Sequence, residues 1–307
     1  MTFMITSATV ATMLLYAVSG WLAVHFGKVK ESSISSFASF LMYVCQPCLT
    51  IYCFGKVEYS SGIIKNMLIF FCITFMLMLV SIAVTVFVLK KFGSEVKYRI
   101  SSLAMSLGNC TFMGVPLVEA LLPDYPEAVV YSNVYFFGMS ILCWTLASYL
   151  ITQDKKYISV KKVILNPAVI AVLLSVIMMV TGVELPSIID DTITTLGKMS
   201  TPLCMIVLGM RLASIPVKPI FTSGLQYASA GVKLIIYPLT ALLLGMIIPI
   251  EPQMAQTLFI LSCAPSAAVV LTFSEMLGEG QDVAANNVLL STILSVVTIP
   301  VMMLLAG

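Results

Sequence analysis

Met105-Ser106-Leu107-Gly108-Asn109-Cys110-Thr111-Phe112-Met113-Gly114-Val115-Pro116-Leu117 lies within an apolar stretch long enough to cross a bilayer, yet it holds two glycines, an asparagine and a proline. Pro116 has no N–H to donate and its ring collides with the preceding turn, so a helix break near Gly114 is expected. A break inside hydrocarbon leaves backbone groups unsatisfied unless it is buried in protein or lines a cavity. A second apolar stretch is interrupted as well, at Ser262-Cys263-Ala264-Pro265-Ser266-Ala267-Ala268. Paired interruptions at matching places in two halves point to a binding site near the membrane midplane. Two half-helices starting there would present free N–H groups and positive dipole ends, which favour a carboxylate. The plainer reading is that glycine and proline only kink tightly packed helices; the pairing of the two interruptions argues against it.

Working outward, 60% of the residues are hydrophobic and 10% charged, with a mean hydropathy of +1.05. Ordinary soluble domains carry roughly 25% charge, so this composition belongs in lipid. A net charge of +2 gives no reason to expect nucleic acid. With about 20 apolar residues needed per crossing, ten spans can be cut: roughly 5–26, 34–54, 66–89, 100–122, 128–151, 163–183, 190–210, 221–249, 254–277 and 283–306. No remaining segment is long enough for a soluble domain. The first span has no basic region before it and no small-residue cleavage site after it, so it reads as a retained helix. All eight cysteines fall inside apolar runs, where they act as small hydrophobes.

The basic residues test this division. With the N-terminus outside, the inner loops hold Lys28, Lys30, Lys90, Lys91, Lys97, Arg99, Lys155, Lys156, Lys161, Lys162, Arg211 and Lys218, and the outer loops only Lys56 and Lys65. Cytoplasmic loops carry the Lys and Arg excess, so the alternation supports ten spans with both termini extracytoplasmic, in a bacterial plasma membrane. Sliding the chain against itself by about 154 residues aligns Ser132-Asn133-Val134 with Asn286-Asn287-Val288, and at 155 Gln46-Pro47 with Thr201-Pro202. Each half, 1–151 and 152–307, holds five spans. Because five is odd, the halves enter the membrane in opposite senses, as in many secondary transporters.

Several polar side chains stand inside the spans. Asn109 and Asn133 each donate and accept through an amide, which suits a carboxylate without burying a counter-charge; each is equally able to bond a neighbouring helix. Asn287 is their weaker counterpart. Lys233, deep in the eighth span, either compensates an anionic substrate or replaces a coupling cation, and its stem also permits snorkelling. Lys198 is placed to snorkel or to pair with Asp190 or Asp191. Glu119 and Glu275, near the ends of the two interrupted spans, are either proton carriers or carboxylates at the water boundary. Cys45-Gln46-Pro47-Cys48 fits a redox spacing without the strand context that redox motif needs, and His25 stands alone among metal-ligating residues. No phosphate-binding loop, paired aspartates or serine–histidine constellation emerges, so neither an ATP-driven pump nor an enzyme is expected, and no cofactor.

Gly108-Asn109 followed by Gly114-Val115-Pro116-Leu117, with Ser132-Asn133 in the next span and Pro47 and Pro202 in spans two and seven, resembles the auxin efflux carrier family, which includes bacterial carriers and the plant PIN-FORMED proteins. The resemblance covers essentially the whole chain. It implies a scaffold of spans 1, 2, 6 and 7 that forms a homodimer, and a transport domain of spans 3–5 and 8–10 that moves like an elevator. It further implies that Asn109, Asn133 and the crossover prolines line the substrate pocket. One departure is that those relatives have a second proline where this chain has Val270, and here it stands at Pro265. The expected substrate site is therefore Asn109, Gly114, Pro116, Asn133, Pro265, Ser266 and Asn287, with Lys233, Glu119 and Glu275 for coupling or charge compensation. The expected function is efflux or exchange of a small organic anion. The alternatives are a sodium-coupled organic-anion symporter of the bile-acid type and a membrane sensor that does not translocate its ligand.

Overall fold

In lipid a backbone satisfies its own polar groups most simply as a helix, and the apolar stretches of this chain fold accordingly. The computed structural model describes residues 2–214 and 217–305, and the side chain of Lys218 lies outside what is described. Its helices are α1 (Thr2–His25), α2 (Glu31–Gly55), α3 (Ser61–Lys90), α4 (Val96–Ser106), α5 (Gly114–Leu121), α6 (Glu127–Thr152), α7 (Lys155–Thr181), α8 (Ser187–Ser214), α9 (Val217–Thr222), α10 (Gly224–Ile247), α11 (Pro252–Ser262), α12 (Ala268–Leu277) and α13 (Gln281–Met303). Eight of these are long and apolar enough to cross a membrane. The stretches expected as the fourth and ninth spans are each divided into two shorter helices, α4 with α5 and α11 with α12. Among the described residues the β-structure is a single bridge between Gly108 and Ser266.

Local chemistry sets many of the boundaries. Ser60 opens α3 by accepting from the Ile63 N–H at 3.1 Å, a cap of the kind serine favours. In α7, Asn166 accepts from the Ala168 N–H at 2.9 Å, with Pro167 next to it and Gly182 closing the helix at φ +66°; proline suits a first turn and glycine a left-handed end. Asp190 and Asp191, at the start of the seventh expected span, belong to α8, which begins three residues earlier at Ser187. Acidic side chains are favourable near a helix N-terminus. Two long helices widen into a π-turn just before an X-Pro pair, at Leu41–Cys45 ahead of Gln46-Pro47 and at Val232–Ile236 ahead of Tyr237-Pro238. Proline cannot donate to the ordinary ladder, and a widened turn absorbs the mismatch.

The packing brings α1 alongside α8, where small residues let the backbones touch. A Cβ added at Gly20 would collide with the Ile206 backbone, and one at Gly209 with the Ala17 backbone. The second half of α2 packs on α7 and on the first half of α8, with Gly197 against the Leu49 backbone. On the other side α3 packs on α4 and α6, α10 on α11 and α13, and α12 on α13. The interrupted pairs α4/α5 and α11/α12 meet between these groups.

Candidate functional site

The two interruptions face each other and complete each other's hydrogen bonding. Leu107 leaves α4 in an extended conformation, as does Ala267 on the approach to α12. The Asn109 N–H donates to the Pro265 carbonyl at 2.8 Å, and the Ala267 N–H donates to the Leu107 carbonyl at 2.9 Å. Groups that lipid would leave orphaned are thus paired in protein. Pro265 serves only as an acceptor here, a role that needs no N–H. The chain stays unwound from 107 to 113 and turns helical at Gly114, where the break was expected. Pro116 is the third residue of α5, a position whose N–H has no intrahelical acceptor, so its missing donor costs nothing. Gly114 is held close, since a Cβ there would sit 2.7 Å from Leu261 Cδ2 and 3.3 Å from Ser132 Oγ.

Lys233 reaches this crossing from the π-turn of α10. It is fully buried; its Nζ donates to the Ser262 carbonyl at 2.9 Å and stands 4.1 Å from the centre of the Tyr237 ring. The competing reading of a snorkelling lysine does not hold: the stem runs inward, where the last carbonyls of α11 and an aromatic face offer negative potential. A Cβ on Gly108 would lie 3.0 Å from this Nζ, so glycine leaves the lysine its room. No carboxylate lies within ion-pair distance of it among the described residues. The Tyr237 hydroxyl meets that of Tyr135 at 2.5 Å, both rings buried.

The asparagines differ in how much of their amides is free. Asn109 is buried, and its Nδ2 has no hydrogen-bond partner of ordinary geometry; the neighbouring Cys204 thiol is a weak acceptor. Asn133 is occupied on both sides: its Nδ2 donates to the Val129 carbonyl, and its Oδ1 accepts from Thr50 of α2, each at 2.9 Å. Asn287 donates to the Val283 carbonyl at 2.9 Å and to Ser101 at 3.3 Å, leaving Oδ1 without a partner. Ser266 is engaged too, its hydroxyl donating to the Ala104 carbonyl at 2.7 Å and its N–H to Ser291 Oγ at 3.1 Å. The crossing thus collects Asn109, Pro265, Ser266 and Lys233, while the side chain of Asn133 is bonded to α2 and that of Asn287 to α4.

Two hollows flank the crossing, and each half-helix borders one. The start of α12 borders a mostly apolar hollow with Gln46, Phe112, Trp144 and Arg211. Pro116 and Glu119 of α5 border another with Tyr52, Lys198 and Pro202. The distal ends of both half-helices are tied by ion pairs. Glu119 takes Lys56, just past the end of α2, at 2.5 Å, and Glu275 takes Arg211 of α8 through both guanidinium nitrogens, one of them at 2.8 Å. Both carboxylates are also partly exposed. Lys198 stands 5.3 Å above the Tyr52 ring. It makes no ion pair with Asp190 or Asp191 among the described residues, a correction to the expected pairing that follows from those aspartates sitting two turns away on the same helix.

The sequence profile of the membrane transport proteins matches residues 5–303. The chain belongs to that family. This agrees with the auxin efflux carrier resemblance read from the Gly, Asn and Pro spacing. An uncharacterized transporter of Methanocaldococcus jannaschii is 23% identical over 307 residues, covering 96% of this chain and 97% of that protein. The chain is thus an integral membrane protein and a transporter.

For a member of the membrane transport protein family, two polar groups matter here that the sequence did not mark as site residues. Gln46 stood out only as a repeat landmark, and Arg211 only as a loop base. Nothing local distinguishes either, because each gains its meaning from a residue far along the chain: Gln46 shares a hollow with Ala268, and Arg211 meets Glu275.

Proposed function

We propose that this transporter is a secondary carrier that exports or exchanges a small organic anion, a carboxylate, bound where the interruptions of α4/α5 and α11/α12 cross. On this reading the chain makes ten crossings as two inverted halves, 1–151 and 152–307, with both termini extracytoplasmic. α1, α2, α7 and α8 form a scaffold that dimerises. α3 to α6 and α10 to α13 carry the site past it in an elevator motion. The grouping of the helix packing supports that division.

The observation that carries the proposal is Lys233, a fully buried lysine beside the crossing with no acidic partner among the described residues. An ionisable group at membrane depth is costly and is normally retained for function. Here it supplies a positive potential next to the Asn109 amide, whose Nδ2 has no partner, and the uncapped first turn of α12, a surround that suits an anion. A fixed ammonium against the Ser262 carbonyl also does electrostatically what a bound coupling cation would do there.

Purified protein in liposomes is expected to move labelled malate or malonate, and Asn109→Ala is expected to abolish that movement while the protein remains monodisperse. Normal flux through a folded Asn109→Ala variant would overturn the site. Uptake that requires sodium would favour a sodium-coupled symporter, and binding without flux a sensor.

A further inference from the structure

Gln46 is 2% exposed, and neither its Oε1 nor its Nε2 has a hydrogen-bond partner. Native proteins rarely leave both ends of a buried amide unused, because each orphaned group forfeits its hydration for nothing. The side chain borders the hollow that also takes in Phe112, Phe136, Trp144, Ala268 and Val269. It stands directly after the π-turn at Leu41–Cys45 and before Pro47, so the widened turn sets its direction; such turns recur at functional sites.

Across the hollow, α12 is a ten-residue helix whose first turn has no side-chain cap. The Val270 N–H bonds back to the Ala267 carbonyl at 3.1 Å. The Ala268 and Val269 N–H groups belong to the set that no intrahelical carbonyl can satisfy. Arg211 borders the same hollow but is committed to Glu275. The groups left over include several donors, Nε2, the buried Trp144 Nε1 and the two N–H groups, and the acceptor Oε1, with the Ser140 hydroxyl on the same wall. Their complement is a ligand with a carboxylate and, on the adjacent carbon, a hydroxyl that donates.

We infer that this hollow is a subsite for 2-hydroxycarboxylates in which Gln46 reads the hydroxyl. Oε1 accepts from the hydroxyl, while Nε2 and the first N–H groups of α12 hold the carboxylate. The inference rests on the carrier reading above and narrows its substrate class. A site built to bond a hydroxyl discriminates against the analogue that lacks it, since its own polar group is then left unpaired. A bound water between Gln46 and α12 would satisfy the same atoms, but it would confer no such preference.

The test compares L-lactate with propionate and L-malate with succinate, by calorimetric binding to the full-length protein in detergent and by flux in liposomes. The wild type is expected to bind each hydroxy acid about tenfold more tightly than its partner. Gln46→Met is expected to erase that ratio. Gln46→Glu keeps an acceptor and adds a repelling charge, so it is expected to keep the ratio while binding all four acids more weakly. Equal binding of hydroxylated and plain acids by the wild type overturns the inference, and so does a ratio that survives in Gln46→Met. Should the methionine variant fail to fold, a Gln46→Glu protein that binds the four acids as tightly as the wild type overturns it instead. If none of the four binds while another labelled anion is transported, the subsite falls and the carrier reading stands. Binding with the expected ratio but without flux leaves the subsite and removes the carrier.

Discussion

Lys233 concentrates the physical tension of this protein in one side chain. Its ammonium has left water for a site with one carbonyl and one aromatic face, which repays only part of the cost of burying a charge. Replacing such a group with an apolar side chain of similar length is often neutral or stabilising. Lys233→Met is therefore expected to leave the Tm in detergent unchanged or higher, while anion flux falls on the order of 100-fold. A parallel loss of Tm and flux would make the lysine a structural member and nothing more. Asn133 shows the contrasting case. Its motif marked it as a site residue, and in this structure its amide bonds Thr50 and the Val129 carbonyl, which holds α6 against α2.

At the scale of elements, the two half-helices are tethered in the same manner. Each ends in a glutamate that meets a cation at the end of α2 or within the last turn of α8. The Lys56–Glu119 pair is partly exposed and contributes about 0–1 kcal/mol, whereas the Arg211 side chain is largely buried and its two-pronged pair contributes more. Both also bear on relative motion, since each joins a half-helix to a helix of the proposed scaffold. Neutralising both cations, Lys56→Gln with Arg211→Gln, is expected to lower the Tm modestly, mainly through the more buried Arg211, and to raise the exchange rate in liposomes. An unchanged rate would rule the pairs out as restraints on movement. The contact between α1 and α8 behaves differently, because it is made of backbone against backbone at Gly20 and Gly209. Small residues are what permit that approach in a membrane. Gly209→Val has to push the helices apart and is expected to destabilise by about 1–3 kcal/mol, read as a lower Tm; an unaltered Tm would mean that the contact is not maintained.

For the molecule as a whole, a hollow borders each half-helix and the paired interruptions lie between them. If the two halves enter the membrane in opposite senses, the hollows address opposite faces. On a background with the eight native cysteines replaced, Thr201→Cys and Thr272→Cys, one in each hollow, are expected to react with a membrane-impermeant maleimide from opposite sides. Labelling of both from one side would refute the inverted arrangement.

The sequence by itself determined the class of the protein and the places where its helices fail. Composition puts the chain in lipid, and Gly108, Gly114, Pro116 and Pro265 interrupt helices through restrictions that each carries in its own backbone. These are local properties, legible wherever the residues stand. Only the tertiary structure decided that Lys233 turns inward to Ser262, that Gln46 faces the start of α12, and that Glu275 belongs to Arg211. In a soluble protein an amphipathic stripe would have shown which way each helix faces. Here most spans are apolar all round, since lipid and core ask for the same side chains. Orientation is then set by which distant polar groups find one another, and no local pattern records that.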